Sequence, residues 1–204
     1  STSFGQSQLA DAVADYVKRY PGVSIDLQML DRTVNLVDER IDLAIRTSND
    51  LDPNLIARRL TVCRSVICAS PAYLREHPAP QRVEELNRHN CLTHSYFGKS
   101  LWHFEQDGEQ VSVPVQGNIS ANEASTLLRT TMAGAGIAML PSYQAGEYIK
   151  RGELVRLLPH AEPRTMNMYA VYARASTCRR PCAACSTSWS SGFPSNRSGT
   201  KVCR

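Results

Sequence analysis

The chain has 204 residues, of which 42% are hydrophobic and 21% charged, with a formal net charge of +4. This composition excludes a wholly disordered or collagen-like chain and leaves room for a sizeable core in one domain or two small lobes. No run approaches the ~20 apolar residues needed to span a membrane. The charge is uneven: six basic residues and no acidic one lie in 174–204, leaving 17 basic and 19 acidic residues in 1–173. The basic excess therefore belongs to the tail, and the body lacks the clustered positive charge of a nucleic-acid surface. The opening STSFGQSQLADAV has no basic region followed by an apolar run, so no signal peptide is expected in it. A first residue Ser1 instead of methionine reads as a fragment.

Taken in chain order, the body reads as α/β. Gln6 to Arg19 places Leu9, Val13, Tyr16 and Val17 at helical spacing. Tyr20-Pro21-Gly22 stops it, because proline lacks a donor and clashes inside a helix. Val23 to Met29 alternates with period two, predicting a half-buried strand. Val34 to Arg40 predicts a short helix, and Ile41 to Ile45 and Ser65 to Ala69 short strands. Ser70-Pro71 opens a helix, and Val83 to Leu86 is a further helical turn. Leu101 to Val115 predicts a hairpin turning at Asp107-Gly108. Helices follow at Asn122 to Ala133 and Ser142 to Lys150, and strands at Gly136 to Leu140, Leu154 to Leu158 and Met166 to Tyr172. Strands and helices alternating through short connections predict a parallel sheet with helical crossovers.

The centre of the chain carries its own strands and helices, flanked by the opening units and the last strand. This predicts two lobes, 1–68 with 166–173 and 69–165, joined by crossings at Val66–Ala69 and Tyr169–Tyr172. Ligands of open α/β sheets bind beyond the carboxyl ends of strands, so the natural site is a cleft between the lobes. Polar groups follow almost every body strand: Asp31-Arg32-Thr33, Arg46-Thr47-Ser48, Thr93-His94-Ser95 and Ser120-Ala121-Asn122-Glu123. Ser1-Thr2-Ser3 precedes the first helix, where hydroxyls and amides either cap the helix or cap it and also contact an anion. Arg46 is the obvious cation of the set, with Asp42 and Asp50 as rival partners.

No catalytic set emerges. His77, His89, His94, His103 and His160 form no HExxH pair, and neither a GxSxG elbow nor a GxxxxGK[ST] loop is present. Gly134-Ala135-Gly136 lacks the third glycine and the opening strand of a nucleotide fingerprint. It reads as a tight turn from helix into strand. Cys91 and His94, three apart in one strand, point to opposite sides. Cys63, Cys68 and Cys91 read as buried reduced thiols. We expect no enzyme, no metal and no cofactor.

The stretches Ser3-Phe4-Gly5, Tyr20-Pro21-Gly22-Val23, Val37 to Arg46, Leu55 to Leu60, Cys68 to Leu74 and Gly134 to Pro141, in this order and spacing, resemble the C-terminal effector-binding domain of LysR-type transcriptional regulators. The resemblance covers about 1–172. It implies an α/β fold of two Rossmann-like lobes with a cleft, like a type 2 periplasmic binding protein, and a small, anionic inducer in that cleft. It also implies a homodimer or homotetramer of the full-length regulator, a cytoplasmic location without membrane contact, and DNA binding through an N-terminal winged helix-turn-helix that precedes this stretch. The family's inducer site falls near Ser1, Thr2, Ser3, Asp31, Arg46, Thr47, Thr93 and Ser120. The alternatives are a free-standing solute-binding protein, which needs an export signal, and a truncated regulator fragment without function.

The tail, 174–204, departs from the family, which continues into a long amphipathic helix. Cys178 to Phe193 shows no helical stripe. One choice of codons for this stretch, read one register over, spells MPPALRSMLDFLVEWF, an amphipathic helix with a proline-rich start. The tail after about Ala173 therefore reads as out of frame and disordered. Its alternative is a cysteine-based metal or redox pair at Cys182 and Cys185.

Overall fold

The computed structural model describes residues 1–97, 99–106 and 108–173. The tail reading and its Cys182–Cys185 alternative lie outside the described residues. The chain divides into two compact units, one formed by Ser1–Cys63 with the chain from Met166, the other by Arg64–Thr165.

The first unit opens with a helical run made of α1 (Thr2–Phe4), a π-helical turn (Gly5–Leu9) and α2 (Ala10–Arg19). Phe4, Leu9, Val13 and Tyr16 are buried. Phe4 and Leu9 are five apart, a spacing that drifts off one face of a regular α-helix. The π turn, with its i→i+5 bonding, absorbs the extra residue and returns both to the buried face. Lys18 and Arg19 sit in the last turn, where cations favour the helix dipole. The helix then ends at Tyr20, ahead of Pro21.

The unit's sheet has the order β1-β11-β2, with β1 at Ala44–Thr47, β2 at Leu55–Cys63 and β11 at Met166–Ala173. Both ladders are antiparallel, pairing Ala44 with Val171 and Cys63 with Met166, with an irregularity between Met168 and Tyr169. Two expectations fail here. Val23 to Met29 pairs in no ladder among the described residues; its alternation survives as half-buried Val23, Ile25 and Met29, but a strand also needs a hydrogen-bonded neighbour. Val34 to Arg40 forms turns rather than a helix. Asn35 holds them through its Oδ1, which accepts from the Val37 N–H at 3.0 Å, and Arg40 takes a φ of 53°.

The second unit is built on a five-stranded sheet of order β7-β4-β8-β3-β9. These strands are β3 (Ser65–Ala69), β4 (Cys91–His94), β7 (Ser120–Ala121), β8 (Ile137–Pro141) and β9 (Val155–Leu157). β4 runs parallel to β7 and β8, whereas β3 runs antiparallel to β8 and β9. The expected all-parallel sheet is therefore a mixed one. Helical crossovers do join its parallel strands: α4 (Ala124–Met132) joins β7 to β8, and α5 (Ser142–Lys150) joins β8 to β9. The reversed strand is β3, and strand direction leaves no trace in hydrophobic periodicity.

Each face of this sheet carries its own core. Val66, Cys68, Leu92, Ala138 and Leu140 pack with Leu127 and Leu128 of α4 and Ala145 of α5. Ile67, Ala69, Cys91 and Ile137 pack on the other side with Trp102, Phe104 and Val113. Strands buried on both faces read as continuous apolar runs, as Ser65–Ala69 does. Trp102 and Phe104 come from a hairpin of β5 (Leu101–Gln106) and β6 (Glu109–Pro114), extended at β5 by β10 (Glu162–Pro163). Gln106 pairs with Glu109 at the closed end of the hairpin, and Asp107 of the expected turn lies outside the described residues.

Capping completes the unit. Ser70 Oγ accepts from the Tyr73 N–H at 3.3 Å and starts α3 (Pro71–Glu76). Glu123 caps α4 with both carboxylate oxygens, accepting from Ser125 N–H and Thr126 N–H at 3.0 Å each. Gly134 ends α4 with a φ of +87°. Gly136 lets the Asn90 carbonyl approach so closely that a Cβ there would lie 2.2 Å from its oxygen. That carbonyl accepts the Ile137 N–H at 2.9 Å, joining the turn to the start of β8.

Candidate ligand-binding residues

In the first unit the sequence-predicted residues form a Ser1–Ser3 and Asp31 group and a separate β1 pair, Arg46 and Thr47; in the second they are Thr93 and Ser120. In the first unit, the Thr2 N–H donates to Asp31 Oδ1 at 2.9 Å, and Thr2 Oγ1 donates to Asp31 Oδ2 at 2.5 Å. Ser1 Oγ lies 3.3 Å from Ser3 Oγ, and Ser3 is buried. Ser1, Thr2, Ser3 and Asp31 are thus brought together. The Asp31 carboxylate takes the amide that the sequence offered to an anion. A residue 29 positions away fills the capping role, and no local pattern announces it.

Arg46 and Thr47 are neighbours on β1, paired with Tyr169 and Met168. Successive strand residues point to opposite faces, so the two side chains do not face one common point. Arg46 Nη2 donates to the Val34 carbonyl at 2.5 Å. Among the described residues no ion pair joins it to Asp42 or Asp50.

In the second unit, Thr93 and Ser120 are register partners across β4 and β7. The Thr93 N–H donates to the Ile119 carbonyl at 3.1 Å, and the Ser95 N–H to the Ala121 carbonyl at 2.8 Å. Thr93 is buried and Ser120 exposed. Ser95 Oγ and Ser120 Oγ are 3.2 Å apart. These residues stand at the carboxyl ends of two parallel strands, the position where open α/β sheets take ligands. Ser95 joins the set through its place two residues beyond Thr93. A depression of about 480 Å³, lined by Asn87, Arg88, His89, Asn90, Gln116 and Gly117, lies at the opposite, amino ends of the same strands.

The thiols have no such placement. Cys63, Cys68 and Cys91 are free and buried. Burial pushes them up to about 11, 12 and 12, respectively. Cys91 Sγ donates to the Leu86 carbonyl at 3.4 Å. At pH 8 all three stay protonated, and alkylation requires the thiolate. Peptide mapping after iodoacetamide at pH 8 is expected to find these three unmodified in the folded protein and modified in urea. Rapid labelling of any of them without urea would contradict the packing. Among the described residues, no group of three or more His, Cys, Asp and Glu is placed to hold a metal ion. No helix among them is long and apolar enough to cross a membrane.

Comparison with known proteins bears on both the fold and these groups. A family profile described as the LysR substrate binding domain matches residues 1–185. Over 174 residues the chain is 33% identical to the HTH-type transcriptional activator TtdR of Escherichia coli, an alignment covering 84% of this chain and 56% of TtdR. The chain thus spans about half the length of the curated relatives it matches. The solved regulatory domain of CrgA, a LysR-type transcriptional regulator from Neisseria meningitidis, superposes with a TM-score of 0.79 at 25% identity, covering 93% of this chain and 94% of that one. The regulatory domain of AphB from Vibrio vulnificus gives 0.76 at 24% identity, covering 91% and 94%. The α/β fold with mixed sheets is therefore that of type 2 periplasmic-binding-protein-like effector domains. The matched family is one of binding domains, not of enzymes.

Proposed function

We propose a sensing role for this chain, which belongs to the family of LysR substrate-binding domains: it is the ligand-sensing domain of a bacterial transcriptional regulator and binds a small anionic metabolite. The observation that carries this reading is the gathering of hydroxyl groups at the carboxyl ends of β4 and β7, where Ser95 and Ser120 lie 3.2 Å apart beside Thr93. The family resemblance adds the Ser1–Ser3 and Asp31 group and β1's Arg46 and Thr47. DNA contact would belong to an N-terminal helix-turn-helix of the full-length regulator, which would act in the cytoplasm as a homodimer or homotetramer. Ligand would shift that assembly only by its differential affinity for two arrangements.

Calorimetric titration of the purified chain with small aliphatic and aromatic carboxylates tests the reading. At least one acid is expected to bind at a 1:1 ratio. Ser120→Ala should weaken it about tenfold, the scale of one hydrogen bond to a charged group. Arg46→Ala should weaken it by at least as much. No binding by any acid, or full binding by both variants, would overturn the proposal. Unchanged binding by Arg46→Ala alone would remove Arg46 from the site.

A further inference from the structure

The chain following β4 holds a feature that the hydroxyl groups do not explain. Tyr96 is 55% exposed and Phe97 42% exposed, side by side in the second unit. The Phe97 N–H donates to the His94 carbonyl at 3.2 Å, closing a turn that brings both rings back toward the strand end. The His94 ring lies 5.0 Å from the Phe97 ring and 6.1 Å from the Tyr96 ring, centroid to centroid, tilted by 45° and 50°. The Tyr96 N–H donates to His94 Nδ1 at 3.3 Å. Three flat rings thus gather around the strand end, on the residues that flank Ser95 in the chain.

Aromatic rings prefer tilted or offset neighbours at centroid distances of about 4.5–7 Å, and gain from apolar burial as well. The segment 94–97 therefore offers exposed apolar ring surface on Tyr96 and Phe97 and, between His94 and Tyr96, the Ser95 hydroxyl that pairs with Ser120. A ligand matching both halves carries a flat ring and a carboxylate. An aliphatic dicarboxylate matches the hydroxyls and leaves the rings in water.

We infer that the ligand of this domain is an aromatic monocarboxylate whose ring packs against Phe97 and Tyr96 while its carboxylate accepts hydrogen bonds from Ser95 and Ser120. The inference rests on the proposed sensing role and gives it a substrate class. Phe97 and Tyr96 set specificity; Ser120 serves any acid.

The test titrates the intact chain with 4-hydroxybenzoate and with succinate, by calorimetry, for the native protein and for Phe97→Ala and Ser120→Ala. We expect 4-hydroxybenzoate to bind at least tenfold more tightly than succinate. Phe97→Ala should remove about tenfold of the 4-hydroxybenzoate affinity, the loss typical of one aromatic contact, and leave succinate unchanged. Ser120→Ala should weaken both. Succinate binding as tightly as 4-hydroxybenzoate, with Phe97→Ala indifferent, overturns the aromatic inference while the sensing role stands. Binding of neither acid or of other acids overturns both. Sedimentation of the same proteins adds one outcome: a dimer lost in Phe97→Ala assigns the rings to a contact between copies and also overturns the inference.

Discussion

Replacing Trp102 by alanine is expected to cost about 3–5 kcal/mol, the range for deleting a large buried aromatic. Trp102 is 1% exposed and shares its core with Phe104, Val113 and Leu86. It faces Val113 across the hairpin, so its loss removes a cross-strand pair as well as the fill between the hairpin and the five-stranded sheet. The surrounding side chains belong to strands fixed by ladders, and they collapse into the cavity only in part. For a chain of this size the melting temperature should fall by on the order of 10 °C. Thermal unfolding followed by circular dichroism measures it. A fall corresponding to less than about 1 kcal/mol would mean that Trp102 does not fill a packed core.

Gly136→Ala is the second large effect. The added Cβ would stand 2.2 Å from the Asn90 carbonyl oxygen, which is backbone and already holds the Ile137 N–H. Relief requires β8 and the residue before β4 to separate, and these strands are hydrogen-bonded neighbours in the parallel part of the sheet. The expected loss exceeds about 2 kcal/mol, in the class of backbone and overpacking effects. Gly152→Ala is the control. Nothing lies within 4 Å of a Cβ there, and its φ of +73° is the only obstacle. That strain costs about 1–2 kcal/mol. Urea midpoints of the two variants should rank Gly136→Ala well below Gly152→Ala. The reverse order would contradict the close approach of β8 to Asn90.

Much of this arrangement was legible in the residues. Ser65–Ala69 and Ser142–Lys150 match the observed elements end to end, because one is an apolar run bounded by turn residues and the other a helical stripe after a proline. The hairpin declared itself through Asp107-Gly108 and alternating valines. The failures share a cause: they depend on partners distant in sequence. Val23 to Met29 has the pattern of a strand, but a ladder is a property of two segments. Leu55–Cys63, the longest strand, carries Arg58 and Arg59 in its middle and shows no clean alternation. It is a strand because β11 pairs with all but one of its residues, Leu60. The π turn at Gly5–Leu9 follows from where Phe4 must point, which depends on the rest of the unit.

The site divides the same way. Thr93 and Ser120 were predicted from strand ends, and the structure makes them register partners. Asp31 was predicted as a site residue, and its carboxylate proves to be bound to Thr2. Its role as a cap depends on two segments meeting and has no local signature. Ser95 belongs to the strand-end group Thr93-His94-Ser95 already read from the sequence, whereas Tyr96 and Phe97, which follow it directly, were open to prediction as two adjacent aromatics beyond a strand end. The turn that gathers the rings beside His94 is a matter of backbone geometry and had to be seen.

Binding of a small acid at the carboxyl ends of β4 and β7 has a direct readout in backbone amide exchange. Hydrogen exchange is measured by mass spectrometry with and without a saturating concentration of the acid that binds most tightly in the titrations. Slower exchange is expected at 93–97 and 119–121, and at 1–3 and 44–48. Protection confined to 87–90 and 116–117, around the depression at the opposite ends of the same strands, or no protection at all, would contradict it.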